Sequence, residues 1–299
     1  MSEPPLMYCP RNFANPTPNA PRALAMVGFS LEPPGRFLHY PPMLDLVCSW
    51  LLIAFVSSVA IVTLILYLVG RRARSDRLEG HGGVMLGRGL MESTYLLFRP
   101  VEKVLLALRV TPNMITTFSL LPALLSAVAL GYGHFGVGAM LATLSAFSDM
   151  LDGILARHLK LTSDVGELFD AAADRYVEFF LLAGLVFYFR DTPVMLILVL
   201  AAIQGSFMVS YATAKAESLG VPPPRGAMRR AERAVYLIHG CAFVPVAGLA
   251  WPSVTGTSIL HLSREIPIEV AVLVVATVTN VSAVRRFFRI AASLQARSA

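Results

Sequence analysis

Residues 44–70 read LDLVCSWLLIAFVSSVAIVTLILYLVG, an almost uninterrupted apolar run. At about 1.5 Å per helical residue, this run is long enough to cross a bilayer with some tilt. The composition of the whole 299-residue chain also indicates a membrane protein, since 56% of the residues are hydrophobic and 15% are charged. Soluble domains carry about a quarter charged residues. The composition therefore excludes an ordinary cytosolic enzyme, a disordered chain and a coiled coil.

Six further apolar segments follow the first one, and their short links predict antiparallel neighbouring helices. They cover residues 114–132, 136–157, 166–189, 194–217, 232–251 and 267–288. Residues 92–110 alternate charged residues with leucine at helical spacing, which is typical of an amphipathic helix on the membrane surface. A plain connector helix is the alternative. We therefore predict an all-α integral membrane protein with a six-helix core, a preceding surface helix and one extra N-terminal transmembrane helix.

Composition also divides the chain into regions. These are a proline-rich disordered tail (1–42), the extra transmembrane helix (43–70), a basic and glycine-rich linker (71–91), the membrane domain (92–290) and a C-terminal tail (291–299). The first apolar run begins too far from the N-terminus to be a signal peptide, so we interpret it as a permanent anchor.

The basic residues predict an orientation for these helices. Arginine and lysine concentrate in the links around residues 71–77, 157–160, 215–233 and 285–289, whereas the opposite links hold few. Links rich in these residues stay in the cytoplasm. The same bias accounts for the net charge of +6 without a nucleic-acid partner. We expect a multi-pass membrane protein with both ends of its six-helix core in the cytoplasm, in the inner membrane if the source is bacterial.

Four aspartates interrupt the apolar pattern at the end of the second core helix and the start of the third. Asp149 and Asp152 are three residues apart and Asp170 and Asp174 are four apart, so each pair shares a helix face. Each carboxylate at membrane depth costs about 2.5–3.5 kcal/mol, and four cost on the order of 10 kcal/mol. Oxygen ligands without histidine or cysteine suit Mg²⁺ or Mn²⁺, and two such ions would balance four negative charges. Because Mg²⁺ binds carboxylates together with substrate phosphate, the cluster indicates a phosphorylated substrate.

The residues between the two pairs fit a phosphate site. Gly153 removes a side chain where a ligand would approach the backbone, and Arg157 lies one turn further on the same face. Its guanidinium is a suitable phosphate ligand. A structural ion-pair cluster and an ion-transport pathway are the alternatives for the aspartates.

The stretch from Asp149 to Asp174 reads D-x-x-D-G-x-x-A-R, eight residues, then G-x-x-x-D-x-x-x-D. It resembles the motif of the CDP-alcohol phosphotransferases at all eight fixed positions. The resemblance covers about residues 92–290. It implies transfer of a substituted phosphoryl group from a CDP-alcohol to a second alcohol, with release of CMP.

The same resemblance implies roles for individual residues. The metal ligands would be Asp149, Asp152, Asp170 and Asp174, and Asp174 would also be the general base. The CDP-alcohol contacts would be Pro112, Asn113, Met114, Ile115, Gly153, Arg157 and Ser163. We expect CDP-diacylglycerol as donor, since a lipid donor explains a nucleotide site in a membrane protein. The resemblance also allows a homodimer.

The acceptor region lies nearer the C-terminus. Residues 211–217, Gly226 and residues 230–233 resemble bacterial phosphatidylinositol-phosphate synthases, in which basic residues bind the phosphate of the incoming alcohol. The corresponding candidates here are Lys215, Arg230, Arg233 and Arg285. Thr213 replaces an expected basic residue and Ala231 a frequent proline. We therefore expect a phosphorylated alcohol, either inositol phosphate or glycerol 3-phosphate.

Three other functions stay open at this point. A transferase of the CDP-choline or CDP-ethanolamine type would act on a lipid alcohol and share the same motif. A divalent-cation transporter would move metal without releasing CMP. A catalytically silent scaffold is disfavoured, because the motif is unbroken.

Overall fold

The structure is a computed structural model, and it describes residues 43–69, 88–159, 164–224, 226–250 and 264–298. Its helices are α1 (Met43–Leu68), α2 (Arg88–Ala107), α3 (Pro112–Gly131), α4 (Phe135–Leu159), α5 (Asp164–Tyr188), α6 (Pro193–Ser218), α7 (Arg230–Ala250) and α8 (Ile266–Ser298). A short 3-10 turn, Phe189–Asp191, links α5 to α6. All regular structure in the described residues is helical, as the sequence predicts. The predicted tail 1–42 and most of the linker 71–91 lie outside these residues.

Five helices are long and apolar enough to cross a membrane by length and composition: α1, α3, α4, α6 and α8. The other two helices that we predicted to cross the membrane, α5 and α7, have 25 and 21 residues and carry several charged residues. The chain is therefore an integral membrane protein with several spans. That α5 and α7 also cross stays a prediction.

Small hydroxyl side chains fix α3 against α4. Ser126 Oγ donates to the Gly138 carbonyl at 2.8 Å, and Ser145 Oγ donates to the Ser119 carbonyl at 2.9 Å. These pairs run in opposite directions along the two helices, so α3 and α4 are antiparallel. Each hydroxyl is buried and satisfied by backbone of the partner helix, as a polar group in an apolar layer requires.

The remaining core helices pack closely through glycine. α5 packs on α3 at Gly184, where a Cβ would lie 2.6 Å from the Ala127 carbonyl oxygen. α6 packs on α8 at Gly205, and Asn280 Nδ2 of α8 donates to the Ala201 carbonyl at 2.8 Å. α7 packs against both α4 and α8. In a bilayer the hydrophobic effect does not drive helices together, so close packing does, and small residues at the crossings let the helices approach closely.

Two features differ from the sequence prediction. We expected α4 and α5 to pack as direct neighbours, but α3 packs against both of them and they approach each other little within the described residues. The second difference is at the C-terminus, where α8 continues to Ser298 through the predicted tail 291–299. Alanine, leucine, glutamine and arginine dominate that segment, and all are good helix formers.

Candidate active site

Three aspartates converge between α4 and α5. One carboxylate oxygen from each of Asp149, Asp170 and Asp174 lies within 4.8 Å of the other two. Asp149 lies in the second half of α4, whereas Asp170 and Asp174 lie one turn apart in the first half of α5. Three carboxylates this close could hold a divalent cation, and an all-oxygen set suits a hard cation.

Asp152 lies one turn from Asp149 on α4, but its carboxylate has a separate partner. It is 5% exposed, and Thr116 Oγ1 of α3 donates to its Oδ2 at 2.6 Å. Thr116 was not among the predicted site residues. A hydroxyl that orients a carboxylate beside a metal site fixes its position and its free oxygen. Asp152 is thus held by α3, and it is not among the three aspartates whose carboxylates converge.

Arg230, at the first turn of α7, lies between the aspartates. Its Nη1 donates to both carboxylate oxygens of Asp149, at 2.9 and 2.8 Å, and also contacts Asp174 Oδ1. We predicted Arg230 as an acceptor contact. The structure brings it into the acidic cluster, where one guanidinium bridges carboxylates from α4 and α5.

Arg233 lies one turn further along α7 and is 1% exposed. Its Nε and Nη2 donate to the two oxygens of Glu178 at 2.5 and 2.8 Å, and its Nη1 donates to the Met228 carbonyl at 2.7 Å. All three guanidinium nitrogens thus have protein partners. Met228 itself has a φ of 60°, an uncommon left-handed conformation for a non-glycine residue. The pair links α5 to α7, and Glu178 had no role in the sequence prediction.

An apolar cavity begins at the acidic cluster. Its volume is about 640 Å³, and its lining includes Asp149, Asp174 and Arg230 at one end. Ala142, Leu181 and Ile238 line the same cavity deeper in α4, α5 and α7. Each lies seven or eight residues from the charged residue on its own helix, which corresponds to about 10–12 Å along a helix axis.

A second cavity, of about 570 Å³, lies on the other side of Asp174 and is strongly basic. Its lining includes the arginines Arg175, Arg229, Arg230, Arg233 and Arg286. We refer to it as the basic pocket. Asp174, Arg229 and Arg230 line both this pocket and the apolar cavity, so the two spaces meet at these residues.

Two of the four predicted acceptor contacts line this pocket. Arg230 and Arg233 line it, whereas Lys215 and Arg285 are exposed and lie away from its lining. Arg286 takes the place predicted for Arg285: it is 7% exposed, and its Nη1 donates to Thr213 Oγ1 at 2.8 Å. Successive residues of a helix point about 100° apart, and the packing of α8 on α6 turns Arg286 rather than Arg285 toward the pocket.

The predicted nucleotide contacts lie near the same end of the bundle. Pro112, Asn113 and Met114 open α3 with partly or fully exposed side chains, whereas Ile115 is 7% exposed and packs inward. Gly153 lies on α4 just beyond Asp152. Ser163 lies outside the described residues, and the Arg157 side chain lies outside them too.

The described helices thus form a membrane bundle in which three converging carboxylates lie where an apolar cavity meets a basic pocket. The sequence pattern of the CDP-alcohol phosphatidyltransferase family matches residues 109–259. This chain belongs to that family, and it is a transferase.

Individual relatives agree with the family assignment. The chain is 30% identical over 168 residues to the phosphatidylinositol phosphate synthase of Mycobacteroides abscessus, covering 55% of this chain and 76% of that one. It is 32% identical over 158 residues to the synthase of Cutibacterium acnes, covering 52% and 75%. The family match includes the region of the four aspartates, whereas α1 lies outside it.

Solved structures share the fold. The phosphatidylinositol phosphate synthase of Mycobacterium tuberculosis in complex with manganese and citrate gives a TM-score of 0.55 at 22% identity, covering 64% of this chain and 87% of that chain. The same enzyme with CDP-DAG bound gives a TM-score of 0.52 at 24% identity, covering 64% and 92%. Both comparisons show that this chain shares the fold of that membrane enzyme over about two thirds of its length.

Proposed function

We propose that this enzyme transfers the phosphatidyl group of CDP-diacylglycerol to a hydroxyl group of a small phosphorylated alcohol and releases CMP. One observation carries the proposal: Asp174 lines both the apolar cavity and the basic pocket. The apolar cavity suits the lipid donor, and the basic pocket suits an anionic acceptor. The reacting groups would therefore meet at a carboxylate.

In the reaction, the acceptor hydroxyl oxygen attacks the phosphorus that carries diacylglycerol. The bond from that phosphorus to the bridging oxygen of the pyrophosphate breaks, and CMP leaves with the electron pair. Asp174 accepts the proton of the attacking hydroxyl, which is general base catalysis. Binding both substrates at one end of the bundle supplies the orientation that the attack requires.

We propose that Asp149, Asp152, Asp170 and Asp174 hold Mg²⁺ or Mn²⁺, with two ions matching the four carboxylates. The oxygen-only donor set and the close approach of three carboxylates support this assignment. A divalent cation, when bound, supplies positive charge against the pyrophosphate and the departing CMP. Thr116 positions Asp152 through its hydrogen bond.

Inositol phosphate is the acceptor we favour, because the relatives named above are phosphatidylinositol phosphate synthases. A pocket lined by several arginines would bind a phosphate dianion through charge-assisted hydrogen bonds. Thr213, which takes a hydrogen bond from Arg286, occupies a position where we expected a basic residue. That neutral side chain keeps glycerol 3-phosphate as the second candidate acceptor.

We further propose that this end of the bundle faces the cytoplasm and that the enzyme is a homodimer. The cytoplasmic side follows from the arginine-rich links, which lie at the same end as the acidic cluster. The dimer follows from the family resemblance alone.

The test is CMP release by the purified enzyme from CDP-diacylglycerol with a panel of alcohols. We expect myo-inositol 1-phosphate or glycerol 3-phosphate to be used far better than inositol, glycerol or serine, and a chelator to abolish the reaction. CDP-choline with diacylglycerol is the parallel reaction for the alternative transferase. Asp149→Asn and Asp170→Asn should each remove the metal-dependent release. Equal use of an unphosphorylated alcohol would refute the acceptor assignment, and full activity in either variant would refute the metal site.

A further inference from the structure

The extra helix α1 has one buried face. Asp45, Ser49, Leu52 and Val56 are spaced by four, three and four residues, so they lie along one side of the helix. Asp45 is 2% exposed, Ser49 0% and Leu52 5%. Leu52 belongs to the main hydrophobic core, and Val56 packs against it. Although α1 precedes the part of the chain that matches the family, it packs as part of the bundle.

Asp45 fixes this helix against the start of α4. Its Oδ1 accepts a hydrogen bond from the backbone N–H of Val137 at 2.9 Å, and its Oδ2 lies 3.8 Å from His134 Nδ1. A carboxylate at a helix N-terminus meets unsatisfied N–H groups and the positive end of the helix dipole. Gly136 makes the contact possible, because a Cβ there would collide with the Asp45 carbonyl oxygen.

The two helices then run parallel in a constant register. Ten residues after Asp45 and Val137 come Phe55 and Phe147, whose rings meet edge to face with centroids 5.3 Å apart. α1 also packs against α7, so it lies over the line along which α4 and α7 meet, here called the seam. The register therefore determines which α1 side chain faces that seam.

The seam is where the apolar cavity lies. Val56 of α1 lines this cavity together with Asp149 and Asp174, and Phe147, the ring partner of Phe55, lines it as well. A helix outside the family core thus contributes to the wall of the space that begins at the reacting groups.

We propose that α1 forms a wall of the chamber that holds the acyl chains of the lipid donor, and that Val56 helps to determine which chain lengths are accepted. This inference rests on the proposed use of CDP-diacylglycerol. Its support is the continuity of an apolar cavity of about 640 Å³ with the acidic cluster, together with the fixed register of α1. A larger side chain at Val56 would shorten the space available to a long acyl chain and leave the head group's site unchanged.

The test compares Val56→Trp with the matched control Val47→Trp. Val47 is 49% exposed and lies on the opposite face of α1. CMP release is measured with dioleoyl and dioctanoyl CDP-diacylglycerol at a saturating concentration of the acceptor. We expect Val56→Trp to lower kcat/KM for the dioleoyl donor at least tenfold relative to the dioctanoyl donor, and Val47→Trp to leave that ratio at the wild-type value. An unchanged ratio in an active Val56→Trp enzyme would overturn the proposal.

A second measurement uses the unmodified protein, in case Val56→Trp fails to fold. A CDP-diacylglycerol with a photoreactive diazirine in one acyl chain is irradiated with the enzyme, and labelled peptides are sequenced by mass spectrometry. We expect excess unlabelled CDP-diacylglycerol to prevent labelling at Val56. Labelling of exposed α1 residues by probe that is dissolved in the surrounding lipid should persist. Label at Val56 that resists competition, or none there, would overturn the inference. If wild-type enzyme releases no CMP from either donor, the proposed function itself fails.

Discussion

Asp174 is the residue on which the proposed chemistry depends most. It faces the apolar cavity and the basic pocket, and Arg230 contacts its carboxylate. A base at that position would lie where the two spaces meet, within hydrogen-bond reach of the acceptor's hydroxyl as it attacks the donor's phosphorus. The roles of base and ligand differ in what they need: a base must accept a proton, whereas a ligand needs only an oxygen lone pair.

Asp174→Asn separates these roles, since the amide keeps the shape and one oxygen but cannot act as a base. We expect turnover to fall by at least about 100-fold, the low end of the contribution of general base catalysis. Binding of CDP-diacylglycerol, measured at equilibrium with the same preparation, should weaken much less. Turnover close to that of the wild type would show that Asp174 is not the base.

Arg285 and Arg286 form a natural matched pair for the acceptor site. Arg286 lines the basic pocket and bonds Thr213, whereas Arg285 is exposed. We expect Arg286→Ala to raise the KM for the phosphorylated acceptor at least tenfold, because a charge-assisted hydrogen bond contributes about 1.5–3 kcal/mol. The KM for the donor should change little. Arg285→Ala should leave both constants near wild type, and equal effects of the two substitutions would contradict the assignment.

These residues also show how far the sequence could predict the site. The sequence predicted that all four aspartates converge, because helical periodicity places each pair on one face. The structure brings Asp149, Asp170 and Asp174 together, whereas Asp152 accepts a hydrogen bond from Thr116. The sequence could not distinguish Arg285 from Arg286, since that choice depends on how α8 is rotated against α6. Nor could it identify Thr116 or Glu178, whose partners lie far away in the sequence.

At the scale of helices, the positions of α5 and α7 depend on the buried pair between Glu178 and Arg233. Both oxygens of Glu178 accept hydrogen bonds from the guanidinium. Removing one partner of a buried pair leaves an uncompensated charge, which destabilises a protein by about 3–5 kcal/mol. The pair therefore holds the start of α7, and with it Arg230, against the aspartates of α5.

Glu178→Gln keeps the side chain's size and removes its charge. We expect the thermal midpoint of the detergent-solubilised protein to fall clearly, because Arg233 is then buried without a counter-charge. Glu167→Gln is the control on the same helix, since Glu167 is exposed and should leave the midpoint nearly unchanged. Similar midpoints for the two variants would mean that the pair does not stabilise the bundle.

Most helices could be predicted from the sequence, but the packing of α1 against the bundle was not. Long apolar runs indicated the core helices to within a few residues, except at the C-terminal end of α8, because a bilayer demands such lengths. The sequence indicated α1 as a separate anchor, yet the structure packs it on α4 and α7. Asp45 was the available signal: a carboxylate in an apolar run needs a partner, and its partner is the start of α4.

At the scale of the whole molecule, the helix directions give a consistent topology. α1 runs parallel to α4, so its first residue lies at the end of the bundle opposite the acidic cluster. α6 and α8 are also parallel, as the pairs Ala201–Asn280 and Thr213–Arg286 show. The C-terminal turn of α6, which carries Lys215, and the arginine-rich second half of α8 therefore lie at the same end of the bundle.

Reporter fusions test that arrangement. We expect a reporter after Ala299, or one inserted in the loop 220–226, to read as cytoplasmic, and a reporter placed before residue 43 to read as external. The reason is the excess of arginine and lysine at the acidic end. External signals from both of the first two positions would place the aspartates on the wrong face for a CDP-linked substrate.

The most direct test of the central claim follows the acceptor's own phosphorus. Myo-inositol 1-phosphate labelled with ³³P is incubated with CDP-diacylglycerol, divalent cation and purified enzyme, and the lipids are extracted into organic solvent. We predict that the label enters the lipid fraction in a one-to-one ratio with CMP released, and that Asp174→Asn abolishes both signals; glycerol 3-phosphate labelled in the same way identifies the alternative acceptor. CMP release without labelled lipid from either phosphorylated acceptor would contradict the account.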